Sequence, residues 1–209
     1  MPLPVVMFHY KDEVEFGPEG LTVNILNQSG LKIGPLIGFD LGRRGSDTAR
    51  FLPGLSRVGA GLNLGGFVEY DLTPSFTLRV ENKQAVTGND GFLANVGLQY
   101  KTHLGDRVLL ALGPKLVFSD GIYNRAYFGV TPAQAAKSTF SAYNPGAGLT
   151  SAGLGGGLII PIKSEYVVST FFNYDRMTGP AVHSPVINSA YGTRNQRTIG
   201  VAVIKHFRL

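Results

Sequence analysis

Apolar and polar residues alternate with a period of two along most of the chain. In FLANVGLQYK, at 92–101, one face carries Phe, Ala, Val, Leu and Tyr, and apart from Leu93 the other carries Asn, Gly, Gln and Lys. Successive side chains of a strand point to opposite faces of a sheet. This stretch therefore predicts a strand with one apolar face and one polar face.

The same alternation recurs and predicts about eleven strands. They span approximately 2–10, 13–17, 20–27, 31–42, 58–71, 76–83, 92–101, 107–119, 150–162, 166–178 and 197–208. Most of them are 10 to 14 residues long, whereas an ordinary strand has about 5–6 residues and a strand that crosses a membrane needs about 9–11. If 13–27 were one continuous strand, the count would be ten.

The connections between these segments fall into two length classes. Turns of three residues occur at 28–30, 73–75, 104–106 and 163–165, and long loops occur at 43–57, 120–148 and 179–196. The two classes alternate, apart from a short link at 88–90. Short turns on one rim and long loops on the other are typical of outer-membrane barrels. We therefore predict an all-β fold, an antiparallel transmembrane β-barrel that occupies 1–209 as a single domain.

One long loop carries a helix signal. Thr131, Pro132 and Gln134 match an N-cap, a proline at the first helical position and the glutamine of a capping box. This pattern predicts one short helix that ends near Ser138, and an Asn-Pro-Gly turn at 144–146 that returns the chain to the next strand. We expect an ordered lid in this outer loop.

Composition indicates which face of the strands is enclosed. The chain has 28 glycines, and many of them lie on the charged face of the strands. Small residues relieve crowding on the concave side of a barrel, so we expect the apolar face to contact lipid and the polar face to lie inside. The candidate lumen-lining charges are Glu69, Arg79, Glu81, Lys83, Lys101 and Lys115. Two interpretations remain open, a salt-bridged filling of the lumen, which we favour, and a charge-lined passage for small solutes.

Several chemical classes are not indicated. The net charge is +5, but the basic residues are scattered, so no nucleic-acid partner is expected. The four histidines form no metal motif, there is no cysteine, and no cofactor signature is found. The nearest catalytic pair is His183-Ser184, which we interpret as an ordinary polar loop dipeptide. We therefore predict no metal, no cofactor and no enzymatic activity.

Six segments resemble a known family. They are PLPVV at 2–6, YKD at 10–12, VGAGLNLGGFVEYDLTP at 58–74, YFGVTPAQAAKS at 127–138, YNPGAGL at 143–149 and GTRNQRTIGVAVIKHF at 192–207. The sequence resembles the MipA/OmpV family of Gram-negative outer-membrane proteins. The resemblance implies location in the outer membrane, contact with its lipid, and a scaffold role that links a murein hydrolase and a murein synthase. The alternative is a small-solute channel or envelope-stress porin. The oligomeric state is not predicted.

The resemblance also sets an expectation for the two ends. Family members carry a signal peptide and one more strand before the segment that matches 2–6, and they end in an aromatic residue. Here no signal peptide precedes that segment, and Phe207 stands two residues before the last residue, Leu209. We therefore expect eleven strands of a likely twelve, from a misassigned start or a truncated product.

Overall fold

A computed structural model describes residues 8–10, 13–17, 20–163 and 166–205. The long alternating segments form the strands of one antiparallel sheet. The strands are β1 (Phe8–Tyr10), β2 (Val14–Gly17), β3 (Gly20–Val23), β4 (Leu26–Gln28), β5 (Leu31–Asp40), β6 (Gly61–Thr73), β7 (Phe76–Ala85), β8 (Phe92–Leu104), β9 (Val108–Ser119), β10 (Gly148–Lys163), β11 (Tyr166–Met177) and β12 (Asn195–Lys205). The all-β antiparallel prediction is confirmed.

The strands follow one another around the sheet in chain order. Both β3 and β4 pair with β5, so the twelve segments fill eleven positions, with β1 and β12 at the two edges of the described sheet. The sheet curves into a half-barrel. The ten-strand alternative is wrong, because β2 and β3 are separate strands in which Gly17 faces Gly20. The predicted segments 2–7 and 206–208, which include Phe207, lie outside the described residues.

Backbone conformation explains one of the tight turns. Ser29 and Gly30 join β4 to β5, and both have positive φ, 53° and 78°. Two consecutive residues with positive φ are the requirement of a type I′ hairpin, whose twist matches that of the flanking strands. The turn therefore sets the register in which Gln28 faces Leu31.

The two faces of the sheet differ sharply in exposure. Apolar side chains of one face are open, as with Phe39, which is 64% exposed, and Ile199, which is 83% exposed. On the opposite face the polar side chains are enclosed, as with Thr77 at 3% and Glu81 at 6%. In the sheet of a soluble protein the apolar face would be the buried one. The exposed apolar face therefore fits a barrel wall whose outer, apolar face contacts lipid.

The long connections contain four short helices. They are α1 (Gly45–Phe51), α2 (Gly121–Phe128), α3 (Pro132–Ala135) and α4 (Gly179–Val182). The predicted helix is confirmed by α3, whose capping box forms between Thr131 and Gln134. The other three helices were not predicted. No helix among the described residues is long and apolar enough to span a bilayer.

The three long loops, 41–60, 120–147 and 178–194, pack against one another, and we call them the loop cap. In one cluster Leu55, Val130 and Val186 come from the three different loops. A second cluster joins Phe128 and Ala181 to Met177 at the end of β11. Because buried apolar contacts link all three loops, the cap is an ordered body at the long-loop rim.

Candidate functional site

Four of the six predicted charges form one network on the enclosed face. Arg79 Nη1 lies 3.0 Å from Glu69 Oε2, and Arg79 Nε lies 3.3 Å from Glu81 Oε2. Lys83 Nζ lies 3.4 Å from Glu81 Oε1, and Asn95 Nδ2 donates a hydrogen bond of 2.8 Å to the same oxygen. The spacing of two residues in β7 places positions 79, 81 and 83 on one face.

Register explains why these side chains meet. Glu69 of β6 is directly opposite Arg79 of β7, and Glu81 of β7 is directly opposite Asn95 of β8. Opposite side chains of an antiparallel pair lie about 4.5–5.5 Å apart at Cβ, within reach of an ion pair or hydrogen bond. The network therefore consists of cross-strand pairs that are joined by the contacts of Glu81 with Arg79 and Lys83 along β7.

Two members of this network were missed by sequence reasoning. Lys32 Nζ lies 3.7 Å from Glu69 Oε1, and the two residues are register partners in β5 and β6. The Arg79 guanidinium carbon lies 4.5 Å from the centre of the Phe67 ring, a cation–π distance. Phe67 is 3% exposed and breaks the alternation, since it is a large aromatic residue on the polar face.

Lys115 belongs to a separate pair. Its Nζ lies 2.9 Å from Asp175 Oδ2 and donates a hydrogen bond of 3.1 Å to Asn173 Oδ1. Lys115 and Asp175 are not on neighbouring strands, because Gly153 of β10 stands between them in register. A Cβ atom at Gly153 would lie 2.6 Å from Asp175 Oδ1, so glycine leaves the space through which the ion pair reaches.

Lys101 joins neither group. It faces Ala111 across the β8–β9 ladder, and no salt bridge involves it in the part of the chain that the structure describes. The six predicted charges thus divide into the network of four, Lys115 in a separate pair with Asp175, and Lys101, which joins neither.

A second polar cluster, centred on Asp40 at the end of β5, lies where the sheet meets the loop cap. Tyr127 Oη donates a hydrogen bond of 2.5 Å to Asp40 Oδ2, and Asn89 Nδ2 donates one of 3.0 Å to the same atom. The rings of Tyr123 and Tyr127 are 4.6 Å apart. Burial and the hydrogen bond to Asp40 raise the pKa of Tyr127, and burial and the Asp40 charge raise the pKa of Tyr123. Both phenols are therefore neutral in ordinary buffers.

Arg43 fastens the first long loop to α2. Its Nη1 donates a hydrogen bond of 3.0 Å to the carbonyl oxygen of Tyr127, and its Nη2 donates one of 3.0 Å to that of Ser56. Burial lowers the pKa of Arg43, but a guanidinium keeps its proton at any ordinary pH. A fixed positive charge therefore sits within the cap.

In the His183-Ser184 dipeptide, the serine side chain is engaged with the backbone of two loops. Ser184 is fully buried, and its hydroxyl donates a hydrogen bond of 2.6 Å to the carbonyl oxygen of Phe128. The Ser184 hydroxyl oxygen accepts a hydrogen bond of 3.1 Å from the amide of Val186. Through these contacts Ser184 links the loop at 178–194 to the loop at 120–147. Over the described ranges, no group of three or more His, Cys, Asp or Glu residues could hold a metal.

Comparisons with known proteins agree with the architecture. The family model described as MltA-interacting protein MipA matches residues 1–207. The protein named Outer membrane protein OmpV, from Vibrio cholerae serotype O1 (strain ATCC 39315 / El Tor Inaba N16961), is 26% identical over 188 residues, which are 90% of this chain and 68% of that protein. Because the family model spans almost the whole sequence, the chain belongs to the MipA family.

Proposed function

We propose that this outer-membrane protein is a non-enzymatic scaffold that holds a murein-remodelling enzyme at the membrane. The partner class is suggested by the family's description as an MltA-interacting protein. In outer-membrane barrels the short turns face the periplasm, where murein lies. The scaffold would therefore use the rim of short turns, opposite the loop cap.

The observation that carries the proposal is the mutual pairing of the enclosed charges. Glu69 and Glu81 are each within 4 Å of two basic side chains, Glu69 with Lys32 and Arg79, Glu81 with Arg79 and Lys83. Side chains engaged in this way fill space and hold the wall in shape, instead of attracting mobile ions. The packed loop cap further favours a closed body over an open channel.

The absence of catalysis in this proposal is supported by Ser184. A nucleophilic serine must present its oxygen to substrate and to a base. The Ser184 hydroxyl is buried, donates a hydrogen bond to the Phe128 carbonyl oxygen and accepts one from the Val186 amide. Ser184→Ala should therefore destabilise the packing of the loop cap. It should cause no loss of hydrolytic activity in assays with lipid and murein substrates.

The scaffold is tested by binding and conductance together. The purified chain in detergent is immobilised and presented with a purified murein hydrolase of the MltA type, and the same preparation is examined in planar bilayers. We expect retention of the hydrolase and no stable open state. Conductance without retention of the hydrolase would overturn the scaffold.

A pair of matched charge reversals locates the binding surface. Arg107 lies in the short turn before β9 and Arg57 lies in the loop cap, and both are exposed. Arg107→Glu should weaken retention of the hydrolase, whereas Arg57→Glu should leave it unchanged. The reverse result would place the partner at the outer rim, where murein is not available.

A second candidate function, a small-solute channel, is favoured by Lys101. This residue lies on the enclosed face of β8 and takes part in no salt bridge within the described residues, so its charge is available to a passing anion. If the protein conducts, we expect anion selectivity that Lys101→Ala reduces. An open state with unchanged selectivity in Lys101→Ala would remove the support that this residue gives.

A further inference from the structure

The loop cap contains an open cavity of about 430 Å³, lined by its first and third loops and by the start of β12. Pockets of about 300–1,000 Å³ are the usual size of small-molecule sites. The residues that matter for its chemistry are Arg43, Phe51, Leu52, Ile187, Tyr191 and Gln196. Nothing in the scaffold function described above uses this cavity.

Most of the cavity wall is apolar. Phe51 and Leu52 come from the end of α1 and the residue after it, and Ile187 comes from the third long loop. The ring centres of Phe51 and Tyr191 are 5.5 Å apart, so an aromatic pair forms one side. Such a wall suits a hydrophobic body, and no Asp or Glu belongs to the lining.

The charge of the cavity comes from Arg43. Its terminal nitrogens are held by neutral backbone carbonyl oxygens, those of Tyr127, Ser56 and Ala126. Its Nε is buried and meets no hydrogen-bond acceptor among the described residues, and no carboxylate pairs with it there. A buried cation with only neutral acceptors lacks the counter-charge that would offset its desolvation.

The surrounding cap reinforces this polarity. The three long loops together carry seven Arg and Lys residues against two Asp residues and no Glu. This excess of basic residues in the loop cap favours anions over cations as ligands. Gln196, an exposed residue at the start of β12, also lines the cavity and offers an uncharged amide.

From these features we propose that the cavity binds a small hydrophobic anion, a monocarboxylate with an aromatic or branched aliphatic body. Its carboxylate would lie against Arg43 and the amide of Gln196, and its body would pack on Phe51, Leu52 and Ile187. Guanidinium–carboxylate contacts are among the strongest hydrogen bonds in proteins, so this one contact should dominate the affinity.

The proposal is tested with 1-naphthoate as the probe. Binding to the full chain in lipid nanodiscs is followed by the fluorescence of the naphthalene ring, with 1-naphthalenemethanol as the neutral analogue of similar shape. We expect saturable binding of the carboxylate, and at least about tenfold weaker binding of the alcohol, which is the size of effect that one charged hydrogen bond contributes.

Two variants separate the site from general electrostatics and from cap folding. Gln196→Glu places a carboxylate of nearly unchanged size in the cavity and should weaken naphthoate binding by about tenfold or more. Gln28→Glu makes the same chemical change at the exposed end of β4, next to a turn of the opposite rim, and should have no effect. Because neither variant alters Arg43, the loop cap keeps its anchoring hydrogen bonds in both.

Three results would overturn the proposal. They are no saturable binding by the native chain, equal affinity for the alcohol and the carboxylate, and equal weakening by Gln28→Glu and Gln196→Glu. The proposal is supported if naphthoate binding is lost in Gln196→Glu and kept in Gln28→Glu, and if the alcohol binds weakly to the native chain and to both variants.

Discussion

Replacing Glu81 by alanine removes the carboxylate on which three donors converge. Glu81 is 6% exposed, and its oxygens contact Arg79 at 3.3 Å, Lys83 at 3.4 Å and Asn95 at 2.8 Å. Removal of one partner from a buried ion pair destabilises a protein by about 3–5 kcal/mol. Arg79 keeps its contact with Glu69 at 3.0 Å, so we expect the lower end of that range, about 3 kcal/mol.

The assay is a urea titration of the protein refolded in detergent micelles. The chain has no tryptophan, so unfolding is followed by the circular dichroism of the sheet. The urea midpoint should fall in Glu81→Ala with an unchanged slope, since the same surface is exposed on unfolding. Glu81→Gln keeps an acceptor for Asn95 without the charge, and should destabilise by about half as much.

A surface substitution supplies the baseline for this titration. Asp106→Ala, in an exposed turn, should change the free energy of unfolding by no more than about 0.5 kcal/mol. If Glu81→Ala is as mild as Asp106→Ala, the enclosed network does not hold the wall together and the reasoning fails.

Two further predictions concern an edge strand and the loop cap. Gly200→Ala should destabilise the sheet by about 1–3 kcal/mol, because a Cβ there would lie 2.1 Å from the Phe171 ring; Phe171→Leu in the same chain should restore part of the loss in the urea titration. Tyr123 and Tyr127 have a raised pKa, so the folded protein holds protons that the unfolded chain releases near a pH of about 10. The free energy of unfolding should therefore fall as the pH rises above that value. Absorbance at 295 nm should show late-titrating tyrosines, one fewer in Tyr127→Phe; titration of all nine with the ordinary pKa would contradict this.

The strands and one helix were accessible from local pattern alone. Alternation placed Arg79, Glu81 and Lys83 on one face, and that relation needs only the geometry of a single strand. The capping box at Thr131 likewise depends on residues three apart. Such features are fixed by neighbours in sequence, and the structure agrees with them.

Features that depend on register between strands could not be predicted. The ion pair of Lys115 in β9 with Asp175 in β11 reaches across the intervening strand β10. It can form because the β10 residue in register with both is Gly153, which has no side chain. The packing of Leu55 with Val130 and Val186 joins three loops that are far apart in the chain. No local pattern specifies which distant residues meet.

A missed helix shows a weaker local signal. Asp120 is the N-cap of α2, and its side chain accepts a hydrogen bond of 2.7 Å from the amide of Tyr123. The N-cap signal of Asp120 is visible in the sequence. The eight residues that follow it begin with glycine and contain Asn124, and neither residue type favours a helix interior. Asn124 is fully buried and bonded to Ser119 and to the carbonyl of Gly146, so tertiary contacts stabilise this helix.

The central claim, that the apolar face of the sheet meets lipid, is tested most directly by spin labelling along β8. The chain has no cysteine, so single cysteines at positions 96–101 can each carry one nitroxide, and their accessibility to oxygen and to a water-soluble nickel complex is measured in lipid bilayers. Labels at 96, 98 and 100 should be reached by oxygen, which concentrates in lipid, and labels at 97, 99 and 101 should not. If the even positions are shielded from oxygen while the odd ones meet the nickel complex as freely as a surface loop does, the apolar face is a dry core and the membrane assignment is wrong.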